Sequence, residues 1–405
     1  MRKSKLAFAI VAFTSVLVLS GCGSEDDVTL KIALATDSGT INDHSFNESA
    51  WKAVNEFAIE QGGTDLGNLM SAIETGPVRT KYVGPNSANA DYTTQDRIAE
   101  VETLIEDWAP DVIVLPGYLF QGPIKYFVDH PETFGNTTFL AIDCVAQDDD
   151  YNDYTYTDNV TSVIFREEQA GFLAGYAAVM DGYRKLGFVG GMAVPAVVRY
   201  GSGYVQGADY AATELGLRTG SITIPYYYAG VFGPTDAATA LCKEWYNEDK
   251  DAEIIFGCGG SVYQSILTAG SFYGGKPWIG VDVNQHAGID ASDTNSCVTS
   301  AMKNITGVTE DLLNSWIDND KAWSDDVAAQ VKTMGVESDA CGLPTPEETG
   351  DEGCWGFENF TVEEYEEVYA KLKNGTIVVN DSSDDATLKE NNYNASDKVV
   401  VNVVE

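Results

Sequence analysis

Residues 29–61 read TLKIALAT (29–36), DSGTINDHSFN (37–47) and ESAWKAVNEFAIEQ (48–61). The first block is short, apolar and rich in β-formers, and a strand fits it better than a helix. The second packs small polar and acidic residues together. In the third, Trp51, Val54 and Phe57 fall on one face of a helical period, which predicts a helix from Asn47 to Gln61. The segment is therefore strand, polar loop, helix, with the chemistry concentrated in the loop.

That order repeats along the chain. The run Lys81–Val83 precedes a helical pattern at 93–107, and Asp111–Leu115 precedes the segment 122–129. Thr138–Asp143 reads as a further buried strand, and helical spacing returns at 165–180. Strand Lys185–Gly190, helix 200–215, strand 221–228, helix 236–246, strand Glu253–Gly257, helix 261–270 and strand Trp278–Val283 follow. Alternation of this kind predicts an α/β fold with parallel sheets covered by helices on both faces. The length suits two such doubly wound lobes, divided near residue 148. In open parallel sheets ligands lie beyond the carboxyl ends of the strands, so the informative residues are expected there.

The ends of the chain differ from this body. Arg2, Lys3 and Lys5 precede an apolar run from Leu6 to Leu19, and Leu19-Ser-Gly-Cys22 follows. A generic export signal requires only small residues at its cut. The cysteine adds what a bacterial lipobox requires, a thiol to carry the lipid. Residues 1–22 are thus expected to be a lipoprotein signal, Cys22 the lipidation site and 23–28 a short tether. The expected location is the outer face of the cell membrane, anchored through lipid. Residues 319–356, rich in Asp, Glu, Gly and Pro, read as an insertion or long surface loop. A helix at 361–373, a strand at Gly375–Val379, a mobile stretch at 380–396 and a closing β-run at Lys398–Val404 complete the chain.

A net charge of −38 repels phosphate backbones and anionic head groups, which argues against nucleic acid as a partner. Six cysteines remain besides Cys22, and Cys341 with Cys354 is the only local pair, so a bridge is expected there. The three histidines do not cluster and there is no CxxC, so no metal site is expected. The stretches Gly187-Phe-Val-Gly-Gly191 and Gly257-Cys-Gly-Gly-Ser261 lack both dinucleotide and P-loop spacing and read as tight turns, so no cofactor is expected. Gly201-Ser-Gly203 lacks the spacing of a nucleophile elbow. Nothing points to an enzyme.

The segment Asp37-Ser-Gly-Thr-Ile-Asn-Asp43-His-Ser45-Phe46-Asn47 resembles the signature of the basic membrane protein family of ABC-transporter lipoproteins, which includes purine nucleoside receptors. Asn159–Gly175 is similar to that family's central helix, and Lys185–Met192 with Pro195–Gly207 is similar to its next block. Trp278–Gln285 with Thr299–Asn304 resembles its closing block. The resemblance implies a type I periplasmic-binding-protein fold, two doubly wound lobes joined by three crossing segments with the ligand in the cleft. On this reading the N-terminal lobe is 29–158 with a return segment at about 284–318, and the C-terminal lobe is 159–283 with about 357–405.

Roles carry over residue by residue. Phe46 would stack on a flat ring and Asn47 would read its edge. Asp282 would accept from vicinal ribose hydroxyls, with Lys303 beside it, and Asp37, Asp43 and Ser45 would line the same mouth. From the residues alone, Ser45 also reads as a helix cap. Tyr200 is a candidate for the opposing ring. The chain departs from the family at Pro116-Gly-Tyr118-Leu-Phe120-Gln121-Gly122, where purine-binding members tend to place an acid. Gln121 is the nearest polar substitute. The implied partners are a small molecule, most simply a nucleoside, and an ABC permease with its ATPase. The alternatives are a flavin or sugar in the same fold, or a surface sensor without transport.

Overall fold

The structure is a computed structural model that describes residues 28–87, 91–145, 156–247, 251–289 and 296–404. The signal segment, Cys22 and tether residues 23–27 lie outside the described residues. Among the described residues, no helix is long and apolar enough to cross a membrane.

Six strands form the first sheet: β1 (Leu30–Ala35), β2 (Val78–Val83), β3 (Val112–Pro116), β4 (Thr138–Ile142), β5 (Val160–Phe165) and β11 (Val331–Met334). Their order is β11-β5-β4-β3-β1-β2 and every pairing is parallel. Seven strands form the second: β6 (Leu186–Gly190), β7 (Ile222–Tyr228), β8 (Ile254–Cys258), β9 (Trp278–Asp282), β10 (Cys297–Lys303), β12 (Cys341–Gly342) and β13 (Val399–Val403). Their order is β12-β10-β9-β8-β6-β7-β13, antiparallel only between β10 and β12. The central strands β3, β4, β8 and β9 are buried at every position, as a sheet covered on both faces requires. The two sheets repeat one winding: β2-β1-β3-β4-β5 in the first matches β7-β6-β8-β9-β10 in the second.

Several segments differ from the sequence reading. Val160–Phe165 is strand β5 of the first sheet, and the helix begins only at Glu167. The lobe boundary therefore falls after β5, not before it. Cys297–Lys303, expected in the return to the first lobe, pairs with β9 in the second sheet. Only after it does the chain return, as the helix Ile305–Asp318 packing on the helix Phe46–Glu60. The expected surface loop 319–356 contributes β11 to one sheet and β12 to the other. The carbonyls of Gln330 and Met334 accept from the backbone N–H of Ser162 and Arg166 along the edge of β5, so polar composition concealed an edge strand. Residues 375–379 form a turn and irregular chain, not a strand. Between 380 and 396 a helix, Asp385–Glu390, and fully buried Tyr393 anchor the chain. Cys341 and Cys354 are both free thiols. They face different partners: Cys341 Sγ lies 4.0 Å from Met334 O, and Cys354 Sγ lies 3.5 Å from Thr349 Oγ1.

Candidate functional site

A cleft opens where the carboxyl ends of both sheets meet. It holds about 640 Å³ of atom-free space, its open mouth included. The first lobe supplies Asp37 and Gly39 after β1, Tyr118 after β3 and Asp143 after β4. The second supplies Cys258 at the end of β8, Asp282 at the end of β9, Lys303 at the end of β10 and Tyr200 from the helix Pro195–Glu214.

The polar loop is organised by Asp43. Its Oδ1 accepts from the backbone N–H of Ser45 (2.9 Å) and Glu48 (3.1 Å). Its Oδ2 accepts from the backbone N–H of Asn47 (3.0 Å) and from Asn47 Nδ2 (2.9 Å). Asp43 thus satisfies the first free amides of the helix Phe46–Glu60, the task expected of Ser45. Burial pushes its carboxyl up to about 6, against the pull of these donors. Ser45 turns the other way, and its Oγ donates to Asp282 Oδ2 at 2.6 Å across the two lobes. A second inter-lobe bond joins Gln285 Nε2 to the carbonyl of His44 at 3.0 Å.

Lys303 is the cation of the site and only 3% of its side chain is exposed. Its ammonium pairs with Asp143 Oδ2 and lies 3.5 Å from Asp282 Oδ1 and 3.7 Å from Glu167 Oε1. Burial alone would strip its proton, but Asp143, Asp282 and Glu167 outweigh that and hold the ammonium above its usual range. Burial raises Asp143 to about 7 despite Lys303. Glu167 is bound in turn by Arg199 Nε at 2.6 Å. Burial opposes its ionisation, yet Arg199 and then Lys303 prevail and leave its carboxyl below the usual value. The ammonium also sits 4.6 Å from the centre of the Phe46 ring and 5.6 Å from that of Tyr200.

Asp37 accepts from the backbone N–H of Leu119 (2.9 Å) and from Ser38 Oγ (2.9 Å), and burial raises its carboxyl. Its carboxylate occupies the space a Cβ at Gly117 would need, at 2.2 Å. Among the predicted residues, Asp37, Asp43, Phe46, Asn47, Tyr200, Asp282 and Lys303 line the cleft. Ser45 and Gln121 do not. Gln121 opens the helix Gln121–Asp129, and Tyr118, one turn earlier, takes the wall position instead. Asp143, Tyr118 and Phe232 line the cleft without having been singled out. A motif search had no handle on Asp143, a lone acid after a strand, although the strand-end rule points to it. Both Asp143 (φ 57°) and Asp282 (φ 66°) hold left-handed backbone at equivalent points of the repeated winding.

A protein of Lactococcus lactis named ABC transporter nucleoside-binding protein BmpA is 27% identical over 83% of this chain and 91% of its own. Basic membrane protein B of Borreliella burgdorferi is 26% identical over 84% and 89%. Among solved structures, an ABC transporter solute-binding protein of Aeropyrum pernix superposes with a TM-score of 0.66. At 18% identity, over 89% of this chain and 96% of that one, it supports the two-lobed solute-binding fold. The family described as ABC transporter substrate-binding protein, PnrA-like, matches residues 30–384, and the chain belongs to it.

Proposed function

We propose that the chain captures a nucleoside in the inter-lobe cleft and delivers it to the permease of an ABC importer, with Cys22 carrying a lipid anchor on the outer membrane face. The role is binding and release, without turnover. The observation that carries the reading is the composition of one cleft: the aromatic rings of Phe46 and Tyr200 beside a Lys303–Asp282 pair. A flat heterocycle suits the rings, and vicinal hydroxyls suit a carboxylate–ammonium pair. Asn47 Oδ1 is buried without a hydrogen-bond partner among the described residues, so an acceptor stands available for a ring N–H. The name of the Lactococcus relative supports the same ligand class.

Binding is coupled to hinge closure, since Asp282 meets Ser45 only when the lobes are together. The permease and its ATPase then recognise the closed form. A thermal-shift screen against nucleosides, free bases, ribose and flavins tests the assignment. A nucleoside at about 100 times its dissociation constant should add about 2.7 kcal/mol of stability, while ribose alone should add little. A shift with a flavin or a sugar and none with any nucleoside would overturn it.

A further inference from the structure

Asp143 divides its two oxygens. Oδ2 holds Lys303, while Oδ1 is buried and has no hydrogen-bond partner among the described residues. The side chain is 7% exposed and forms part of the cleft wall. A buried carboxylate oxygen without a donor is costly, and a bound ligand that brings a donor removes the cost. Asp143 also mirrors Asp282: each lies at the carboxyl end of the fourth strand of its lobe's common winding, each has positive φ, and each faces the Lys303 ammonium. One stands on the first lobe and the other on the second.

We propose that the hydroxylated end of the ligand is gripped from both lobes, with Asp143 Oδ1 accepting a ligand hydroxyl opposite Asp282. This rests on the nucleoside reading and adds a specificity-determining residue to it. Lys303 stands on the second lobe beside Asp282 and reaches Asp143 on the first, so the spacing of the two carboxylates is set as the lobes come together. Because the two acids belong to different lobes, a polyol bridging them ties affinity for the sugar to closure itself. A free base lacks the groups that make this bridge and should bind without it.

The test is calorimetric titration of the purified chain and its Asp143→Ala variant with adenosine, guanosine, inosine, cytidine and uridine. The tightest of these is then compared with its 2′-, 3′- and 5′-deoxy forms. In the wild type, one deoxy form should lose about 10- to 100-fold in affinity through the missing bond to Asp143, the scale of a hydrogen bond to a charged group. In Asp143→Ala that penalty should fall to about twofold, because the acceptor is already gone. A residue that merely positions Lys303 would weaken every analogue alike and leave the penalty intact. That result overturns the inference while the nucleoside assignment stands. Absence of binding to all five nucleosides by the wild type overturns the assignment and the inference with it. A circular-dichroism melt of unliganded Asp143→Ala identifies misfolding, and in that case Asp143→Asn, which keeps an oxygen for Lys303, replaces it under the same criterion.

Discussion

Asp43 accepts three backbone N–H groups and one side-chain amide, so its removal uncovers several buried donors at once. Asp43→Ala should cost about 2 kcal/mol in chemical denaturation, at the upper end for a helix cap. Ser45→Ala breaks only the bond to Asp282, a hydrogen bond to a carboxylate, and should lower the stability of the free chain by about 1.5–3 kcal/mol in the same measurement. Phe46 answers a different question. Phe46→Ala should weaken nucleoside binding by about 1–3 kcal/mol in calorimetry, the range for one base–aromatic stack, with little change for ribose. An equal loss for both ligands would count against stacking. The loop around these residues was legible because its polar density between an apolar run and a helical period is unusual in itself. The exchange of roles between Asp43 and Ser45 was not legible, since either side chain can cap and only the path of the loop decides. Asp282 and Lys303 came to notice through family resemblance, because a lone acid and a lone lysine carry no spacing signal. Asp143 shows the same blindness without the rescue.

The helices Glu167–Asp181 and Pro195–Glu214 pack through glycines on both sides. A Cβ at Gly171 would meet Tyr200 O at 2.1 Å, and one at Gly175 would meet Tyr204 O at 2.0 Å. Reciprocally, Gly203 and Gly207 would strike Glu168 O at 2.1 Å and Phe172 O at 1.9 Å. Backbone lies against backbone, so nothing flexible can give way. Gly175→Ala should therefore destabilise the chain by about 1–3 kcal/mol, although alanine is the better helix former. A neutral or stabilising result in denaturation would mean that the helices separate at little cost. This pair matters to the site because it holds Glu167 and Arg199 in register and aims Tyr200 into the cleft. At this scale the sequence was readable where hydrophobic period and strand length were clear. It failed at Val160–Phe165, whose β-branched run merges directly into a helix with only Arg166 between. It failed again at β11 and β12, because edge strands of two to four residues bury too little to pattern their sequence.

Closing two acidic lobes on one another concentrates carboxylates in a buried interface, and the pH response of the whole molecule follows from that. Burial raises Asp43 to about 6, Asp143 to about 7 and Glu168 to about 7. Raised carboxyls favour the protonated folded form: their contribution is full below the unfolded value near 4 and is lost as pH climbs through 6 and 7. Carboxyls held low, such as Asp96, Asp339 and Asp384, act in the opposite sense, but only as pH falls below about 4. The window between pH 5 and 8 is thus governed by the raised group. Stability of the ligand-free chain should decline across it, with Asp43 alone accounting for about 2–3 kcal/mol between pH 4 and 7. Urea denaturation at intervals across that window measures the slope directly. Asp43→Asn should flatten its lower half, since the amide cannot ionise, and leave the upper part to the other raised carboxyls, Asp143, Glu168 and Glu310 among them. A wild-type stability that rises from pH 5 to 8 would mean that these carboxyls stay hydrated and ionised in the folded chain, and that the lobes stand open in the absence of ligand.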